Sequence, residues 1–248
     1  MLRIFAKHFY LYMSYEIDQI KLSERIIAIA KKVSITAGLY IFLTFIIVLV
    51  IYSFGLIAVI GSPDELIKMS NQKNLDQFMV ANATPLLILN TVVTIALHYF
   101  LGGIYGMIKK VETQPYATLG NAFGTIFSKE GLKVLNVIIL LQLITTTASY
   151  FLDFAGFALV GLGISILLQF LTYFTIPAIY IDGLSIRKSI DLSVKTVNQK
   201  PAFLFFFIAF AYFLSFIGIL FFGLGIILTL PLNYIVAYSL YTHIKEQV

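Results

Sequence analysis

The hydrophobic residues of this chain are gathered into long runs that are separated by short polar segments. Two of these runs, residues 132–181 and 201–244, are almost unbroken. Each is about twice the roughly 20 residues that cross a bilayer once as a helix. Each therefore predicts a hairpin of two membrane-spanning helices, and two further apolar runs lie upstream. The six predicted spans cover residues 33–60, 84–108, 134–151, 154–181, 202–222 and 223–243.

This pattern predicts an all-α integral membrane protein in two parts. Residues 1–32 form an N-terminal cytoplasmic amphipathic segment, and residues 33–248 form a six-helix transmembrane domain. The composition agrees, because the chain is 60% hydrophobic and only 12% charged, with a mean hydropathy of +0.95. A soluble domain has roughly 25% charged residues. The protein is therefore expected to have almost no soluble mass.

The positive charges predict the orientation of the spans. The N-terminal segment and the polar connections at residues 109–133 and 187–200 carry most of the Lys and Arg residues, whereas Lys68 and Lys73 are alone on the opposite side. Cytoplasmic loops carry such an excess of Lys and Arg, so both termini are predicted to be cytoplasmic. Because the cations flank apolar runs, we expect contact with lipid and not with nucleic acid.

Several polar connections have the periodicity of amphipathic helices. Apolar residues recur every three or four positions from Leu2 to Ile20, from Leu119 to Phe127 and from Ile186 to Val197. Such helices lie in the membrane interface with their cations toward the lipid headgroups. They either cap the floor of the bundle or bind partners and anionic lipids. The candidate anionic-lipid contacts are Lys109, Lys110, Arg187 and Lys188.

The two long apolar runs also show an imperfect helical-hairpin repeat. Each follows an amphipathic segment, and the sequence GLGI at residues 161–164 recurs at residues 223–226. Pro177 and Pro231 follow these motifs in the two copies, and each proline is expected to kink its span. The backbone carbonyls that the kinks release must then be satisfied within the bundle.

The second copy carries a resemblance to a known family. Residues 181–193 read IDGLSIRKSIDLS and lead into the final hairpin, which contains LTLP at residues 228–231. This segment resembles the bacterial superfamily that includes the membrane domain of some glycerophosphoryl diester phosphodiesterases and many six-span inner-membrane proteins. The resemblance implies a six-helix bundle with interfacial helices in a bacterial cytoplasmic membrane. It implies no hydrolase activity, because the phosphodiesterase domain itself is absent from the sequence.

Polar and small residues form a stripe along the second predicted span. Since they follow one another at spacings of four, they are expected to share one helix face. Gln142 of the third span is a further candidate for the same polar surface. The members of the stripe are Asn90, Thr94, His98, Gly102 and Gly106.

Two readings of this stripe remain open. Gly102 and Gly106 form a small-xxx-small pattern that suits close helix packing in lipid. His98 is then a neutral side chain that hydrogen-bonds a neighbouring helix. Alternatively, an ionisable residue at membrane depth marks a path for protons or substrate. The third and fourth spans add Thr145, Gln169 and Thr172, and no carboxylate lies clearly inside a span.

The sequence contains no pattern that predicts catalysis. It has no cysteine, and its three histidines, His8, His98 and His243, fall on separate predicted elements. We therefore expect no catalytic site, metal site or cofactor. The favoured prediction is a non-enzymatic accessory or scaffold subunit that acts through other membrane proteins, through lipids or through self-association. The alternative is a small transporter or lipid-handling permease with a polar path along the second span.

Overall fold

The computed structural model describes residues 15–62, 67, 71–220, 225 and 229–247, and every element in these ranges is helical. A short 3-10 helix, Ile217–Leu220, follows the tenth α-helix. The α-helices are α1 (Gln19–Ile60), α2 (Gln72–Ala81), α3 (Ala83–Leu101), α4 (Ile104–Val111), α5 (Leu119–Ile126), α6 (Lys129–Phe154), α7 (Ala158–Leu171), α8 (Thr175–Asp182), α9 (Ile186–Gln199), α10 (Pro201–Phe216) and α11 (Pro231–Lys245).

Four of these helices or helix pairs are long and apolar enough to cross a membrane: α1, α3 with α4, α6, and α7 with α8. A fifth is reached if α9 and α10, which meet at a bend of 105°, are counted as one span. The predicted fifth span corresponds to α10. The predicted sixth span begins in residues 221–228, which are largely outside the described ranges, and ends in α11. Six spans therefore remain a prediction.

Helix α1 extends well beyond the span predicted at residues 33–60. It has 42 residues, or about 63 Å at 1.5 Å per residue, which is about twice the thickness of a hydrocarbon core. Its start is capped by Asp18, whose carboxylate accepts hydrogen bonds from the N–H groups of Ile20 and Lys21, both at 3.1 Å. The helix continues without interruption through residues 32 and 33, where the sequence analysis divides the chain.

The second predicted span is interrupted at Gly102 and Gly103. The N–H of Gly103 donates to the carbonyl of Phe100 at 2.9 Å, which is a tighter 3-10 turn between α3 and α4. The hydroxyl of Tyr40 on α1 donates to the same carbonyl at 2.7 Å. A Cβ atom on Gly103 would lie 2.6 Å from that hydroxyl oxygen, so glycine is needed for this approach.

The fourth predicted span is interrupted as well, between Leu171 and Thr175. Phe174 loses a helical partner here, and its N–H donates instead to Oγ of Ser193 on α9 at 3.0 Å. The same hydroxyl donates to the carbonyl of Leu171 at 2.7 Å. One serine therefore satisfies a donor and an acceptor on the two sides of the break. The break lies just before Pro177, in line with the predicted kink.

Helix α11 occupies the centre of the bundle. It packs against α1, α4, α8 and α10, and nearly every residue from Ile235 to Ile244 is buried. Tyr238 and Tyr241 are buried because their hydroxyls reach carboxylates inside the fold, namely Glu112 at 2.6 Å and Asp182 at 2.5 Å.

Ion pairs tie the same end of the bundle together. Arg25 of α1 donates to Glu112 after α4 at 2.5 Å and to Glu246 after α11 at 2.7 Å. Lys245 pairs with Asp182 at the end of α8. All of these residues belong to segments that the sequence analysis assigns to the cytoplasmic side. Asp18, which caps the start of α1, has a lowered pKa, and the main cause that lowers it is the hydrogen bond from the backbone N–H of Lys21.

The amphipathic helix α9 packs small hydroxyl residues against the rest of the protein. Its buried residues are Ser189, Ser193, Thr196 and Val197, whereas Ile190 and Val194 are only half-buried. Small hydroxyl side chains lie inward because one of them must reach the broken backbone of the fourth span. Ile126 of the predicted stripe is buried in α5 together with Ala122, whereas Phe127, directly after the helix, is exposed. The N-terminal stripe from Leu2 to Met13 and most of the second GLGI motif lie outside the described residues.

Candidate functional site

Polar residues from several helices line one half-open cavity of the bundle, together with many apolar side chains. The cavity has a volume of about 400 Å³, which is within the range of small-molecule sites. His98 of α3, Gln142 and Thr145 of α6, and Gln169 of α7 line it. His98, Gln142 and Gln169 lie close to the midpoints of the spans predicted at residues 84–108, 134–151 and 154–181. The structure thus brings the central polar residues of three predicted spans to one place.

The cavity lies where the predicted spans are interrupted. Gly102 lines it at the turn between α3 and α4, and Thr172 and Tyr173 line it at the break between α7 and α8. Leu230, directly before the first residue of α11, lines it too. Irregular backbone at membrane depth is tolerated only where protein buries it or where it borders a cavity. The cavity is therefore a place where these breaks are tolerated.

Tyrosine rings and an asparagine form one end of the cavity. The rings of Tyr105 and Tyr234 meet edge to face with their centroids 5.6 Å apart. The hydroxyl of Tyr173 donates to Oδ1 of Asn233 at 3.2 Å. Tyr180 packs beside Tyr105, with ring centroids 6.1 Å apart. These contacts fix the tyrosine rings by packing between α4, α8 and α11.

Several polar groups of the cavity have no partner within the described protein. The Gln142 amide N–H donates to Oγ1 of Thr146 at 3.0 Å, so its carbonyl oxygen stays unpaired. No hydrogen bond joins the side chains of His98 or Gln169 to another described residue, and both side chains are exposed to the cavity or its surroundings. By contrast, Thr145 and Thr172 donate to carbonyls of their own helices. The unpaired groups are free to hydrogen-bond a guest.

The remaining members of the predicted stripe lie apart from the cavity. Asn90 is exposed, and the Thr94 hydroxyl donates to the Asn90 carbonyl at 2.8 Å. Gly106 belongs to α4 and packs against α5, where an added Cβ would fall 1.9 Å from Oγ1 of Thr125. The predicted face is divided because the turn at Gly102 and Gly103 separates two helices. His98 and Gly102 are therefore the residues of the stripe that line the cavity.

The four candidate lipid-contacting cations have different environments. The Lys109 ammonium donates to the carbonyls of Tyr180 and Ile181 at 3.0 and 3.2 Å, which caps the C-terminal end of α8. Lys110 is exposed at the end of α4. Arg187 and Lys188 are exposed in the first turn of α9 and make no ion pair with a described residue. All four residues are exposed, and of the four ammonium and guanidinium groups that of Lys109 is also engaged by backbone carbonyls.

Sequence reasoning left Tyr105, Tyr173 and Asn233 out of the predicted site. Helical spacing contained a signal for two of them. Tyr105 follows His98 by seven residues and Gly102 by three, and Tyr173 follows Gln169 by four. Both tyrosines thus continue faces that already carried a named polar residue. For Asn233 there was no such signal, since its place depends on how α11 enters the bundle.

The fold and the cavity together define a helical-bundle protein with several helices apolar enough to span a membrane and a half-open cavity lined by apolar and uncharged polar residues. No group of three His, Cys, Asp or Glu residues that would hold a metal ion occurs in the described ranges. Comparison of the chain with models of known protein families, with curated proteins and with solved structures found no match.

Proposed function

We propose that this chain is a multipass protein of a bacterial cytoplasmic membrane, with six spans and both termini in the cytoplasm. The four described helices or helix pairs of spanning length support the membrane location. The distribution of Lys and Arg supports the orientation, because the side that carries only Lys68 and Lys73 is then the exterior. The sixth span would be formed by residues 223–243, which include most of α11.

The imperfect hairpin repeat belongs to the same proposal. Two arrangements in the described structure support it: α5 is followed after two residues by α6, and α9 is followed after Lys200 by α10. In both, a short amphipathic helix leads directly into a long apolar one. Internal repeats of this kind are common in transporters.

We further propose that the protein handles a membrane-soluble ligand in its cavity, as a small transporter or lipid-handling permease without catalytic activity. One observation carries this proposal: the mid-span polar residues His98, Gln142 and Gln169 converge on a cavity of about 400 Å³. Polar side chains at membrane depth are costly unless they are paired or face a cavity. Binding sites built near the midplane from interrupted helices are the arrangement that transporters use.

The accessory or scaffold function that the sequence favoured is the competing proposal. A scaffold requires a packed bundle and an outward contact surface, and it has no need for unpaired polar groups around an internal cavity. The cavity therefore favours the permease. A partner that purifies with the protein in fixed stoichiometry, without any ligand movement, would favour the scaffold instead.

Blocking the cavity with a large side chain tests the permease. The purified protein is reconstituted in liposomes that contain fluorescent glucosyl diacylglycerol or fluorescent phosphatidylglycerol. Transfer between leaflets is followed by chemical bleaching of the outer leaflet with dithionite. We expect accelerated transfer of at least one lipid, and we expect Thr145→Trp to reduce that acceleration at least tenfold because Thr145 lines the cavity.

Ile144→Trp is the matched control. Ile144 is the preceding residue of α6, is 44% exposed and does not line the cavity, so transfer should be unchanged. Since the chain has no tryptophan of its own, the emission of the single introduced ring reports whether each variant is folded. If neither lipid moves faster than in protein-free liposomes, or if both variants transfer lipid equally well, the permease proposal is wrong.

A further inference from the structure

The walls of the cavity define the class of ligand that it accepts, an inference that rests on the proposed permease function. No Asp, Glu, Lys or Arg lines the cavity among the described residues. A phosphate or ammonium headgroup would lose its hydration here without gaining a countercharge, which is a large cost in an apolar interior. The cavity is thus selective against charge.

Two cations of the helices around the cavity are engaged elsewhere. Lys109 follows Tyr105 by one helical turn, but its ammonium caps the carbonyls of Tyr180 and Ile181. Arg25 is held between Glu112 and Glu246. Neither side chain lines the cavity. For Lys109 or Arg25 to neutralise a charged headgroup, these contacts would have to break.

The hydrogen-bonding groups of the cavity include both donors and acceptors. His98 offers one ring nitrogen of each kind, Gln169 offers a whole amide, and Gln142 offers a carbonyl oxygen. Tyr105 and Tyr234 line the same space, and no described residue hydrogen-bonds to their hydroxyls. Hydroxyl groups of a ligand both donate and accept, so they match this mixture. A carbonyl compound would use the donors alone.

Apolar side chains complete the walls. Leu97, Leu141, Leu168 and Ile176 lie between the polar residues and fit an alkyl chain. Tyrosine rings at one end provide flat surfaces with hydroxyl groups at their edges. We propose that the ligand is an uncharged lipid with a hydroxyl-rich head, the simplest being a single sugar on an alkyl or diacyl tail.

A pair of photoreactive probes with the same alkyl chain tests this ligand class. One probe carries a glucosyl head and the other a phosphate head, and the protein is held in nanodiscs of phosphatidylcholine. The site and extent of labelling are read by peptide mass spectrometry. We expect the glucosyl probe to label cavity-lining peptides at a half-saturating mole fraction at least tenfold below that of the phosphate probe.

The polar contacts are tested by removing them. Each neutral hydrogen bond contributes roughly fivefold in affinity, so His98→Leu combined with Gln169→Leu should weaken labelling by the glucosyl probe about 25-fold. Asn136→Leu is the control, because Asn136 is an exposed amide of α6 that does not line the cavity. It should leave labelling unchanged. The difference in labelling between the glucosyl and phosphate probes on the unsubstituted protein tests the ligand class even if the double variant does not fold.

The possible outcomes have different consequences for the proposed ligand class and for the proposed permease function. If the phosphate probe labels the cavity as well as the glucosyl probe does, the neutral-ligand inference is wrong and the permease stands. If both probes label only the outer surface of the bundle, the cavity binds neither and the permease proposal fails with it. Equal labelling of the double variant and the unsubstituted protein contradicts the role given to His98 and Gln169.

Discussion

Ser193 illustrates how much a single hydroxyl group does in this fold. It accepts from the N–H of Phe174 and donates to the carbonyl of Leu171, so it closes both ends of the break between α7 and α8. Both it and Phe174 are fully buried. An unsatisfied buried backbone group costs about 1–3 kcal/mol, more than the net gain from an average hydrogen bond.

Ser193→Ala is therefore expected to be destabilising. It leaves two buried backbone groups without partners, and we expect a loss of about 1–3 kcal/mol for each group that water does not reach. The measurement is the midpoint of thermal unfolding in detergent. Ser189→Ala is the control: Ser189 is equally buried on the same face of α9, but its hydroxyl donates only to carbonyls of its own first turn. Equal midpoints for the two variants would contradict the role of Ser193.

His98 remains the residue on which the two interpretations of the second span differ. The packing interpretation requires a hydrogen bond to a neighbouring helix, and the described residues provide none. The ring instead borders the cavity, which supports ligand contact. An added Cβ atom on Gly102, one helical turn after His98, would lie 3.3 Å from the Tyr180 hydroxyl oxygen, so little room is left for a side chain there.

Among the helices, the pair α4 and α5 shows why a small residue is needed at an exact position. A Cβ atom on Gly106 would lie 1.9 Å from Oγ1 and 2.5 Å from Cβ of Thr125, and 2.9 Å from the carbonyl oxygen of Asn121. The last contact is with backbone, which cannot rotate away as a side chain can. The separation of the two helices is thus determined by this glycine.

Gly106→Ala should force α4 and α5 apart and lower the stability of the bundle by about 1–3 kcal/mol, as overpacking does in cores. Gly124→Ala is the matched control on α5. An added Cβ there meets nothing within 4 Å, so the change should be neutral or stabilise the helix by about 0.5–1 kcal/mol. Thermal unfolding of both variants in detergent measures the difference. A Gly106 variant as stable as the Gly124 variant would show that the helices adjust without cost.

The two broken spans were only partly predictable. Pro177 indicated a kink in the fourth span, because proline removes a helical donor and clashes with the preceding turn. The turn at Gly102 and Gly103 was not predicted, since the stripe from Asn90 to Gly106 has the spacing of one continuous helix. Its cause is tertiary: Tyr40 of α1 binds the Phe100 carbonyl and occupies the space beside Gly103.

For the bundle, the number of spans and the side of each terminus form one testable statement. With six spans both termini share the cytoplasmic side, whereas five would separate them. The chain contains no cysteine, so single cysteines can be introduced without a background. Glu16, Lys73, Lys188 and Gln247 are exposed positions at the two ends, in α2 and in α9.

We expect a membrane-impermeant maleimide to label Lys73→Cys in intact cells stripped of their outer membrane. The other three cysteines, Glu16→Cys, Lys188→Cys and Gln247→Cys, should react only after the cytoplasmic membrane is opened. Labelling with a permeant maleimide controls for accessibility of each thiol. Reaction of Glu16→Cys and Gln247→Cys from opposite sides would rule out the six-span topology.

The all-helical fold class and the location of the long apolar helices follow from the sequence. Each long apolar run must satisfy its own backbone hydrogen bonds wherever lipid replaces water. The first four predicted spans coincide with helices for this reason. The same local rule indicated that His98, Gln142 and Gln169 are polar groups at depth. It contained no information about whether they meet.

Tertiary packing alone decided that these three polar side chains meet at one cavity. The cavity depends on contacts between residues far apart in the chain, such as Tyr40 with Phe100, Ser193 with Leu171 and Tyr173 with Asn233. It also decided that α9 turns its serines inward and that the Lys109 ammonium caps a helix. Hydrophobic periodicity reports which face avoids water, but only the assembled bundle determines which neighbour each polar group finds.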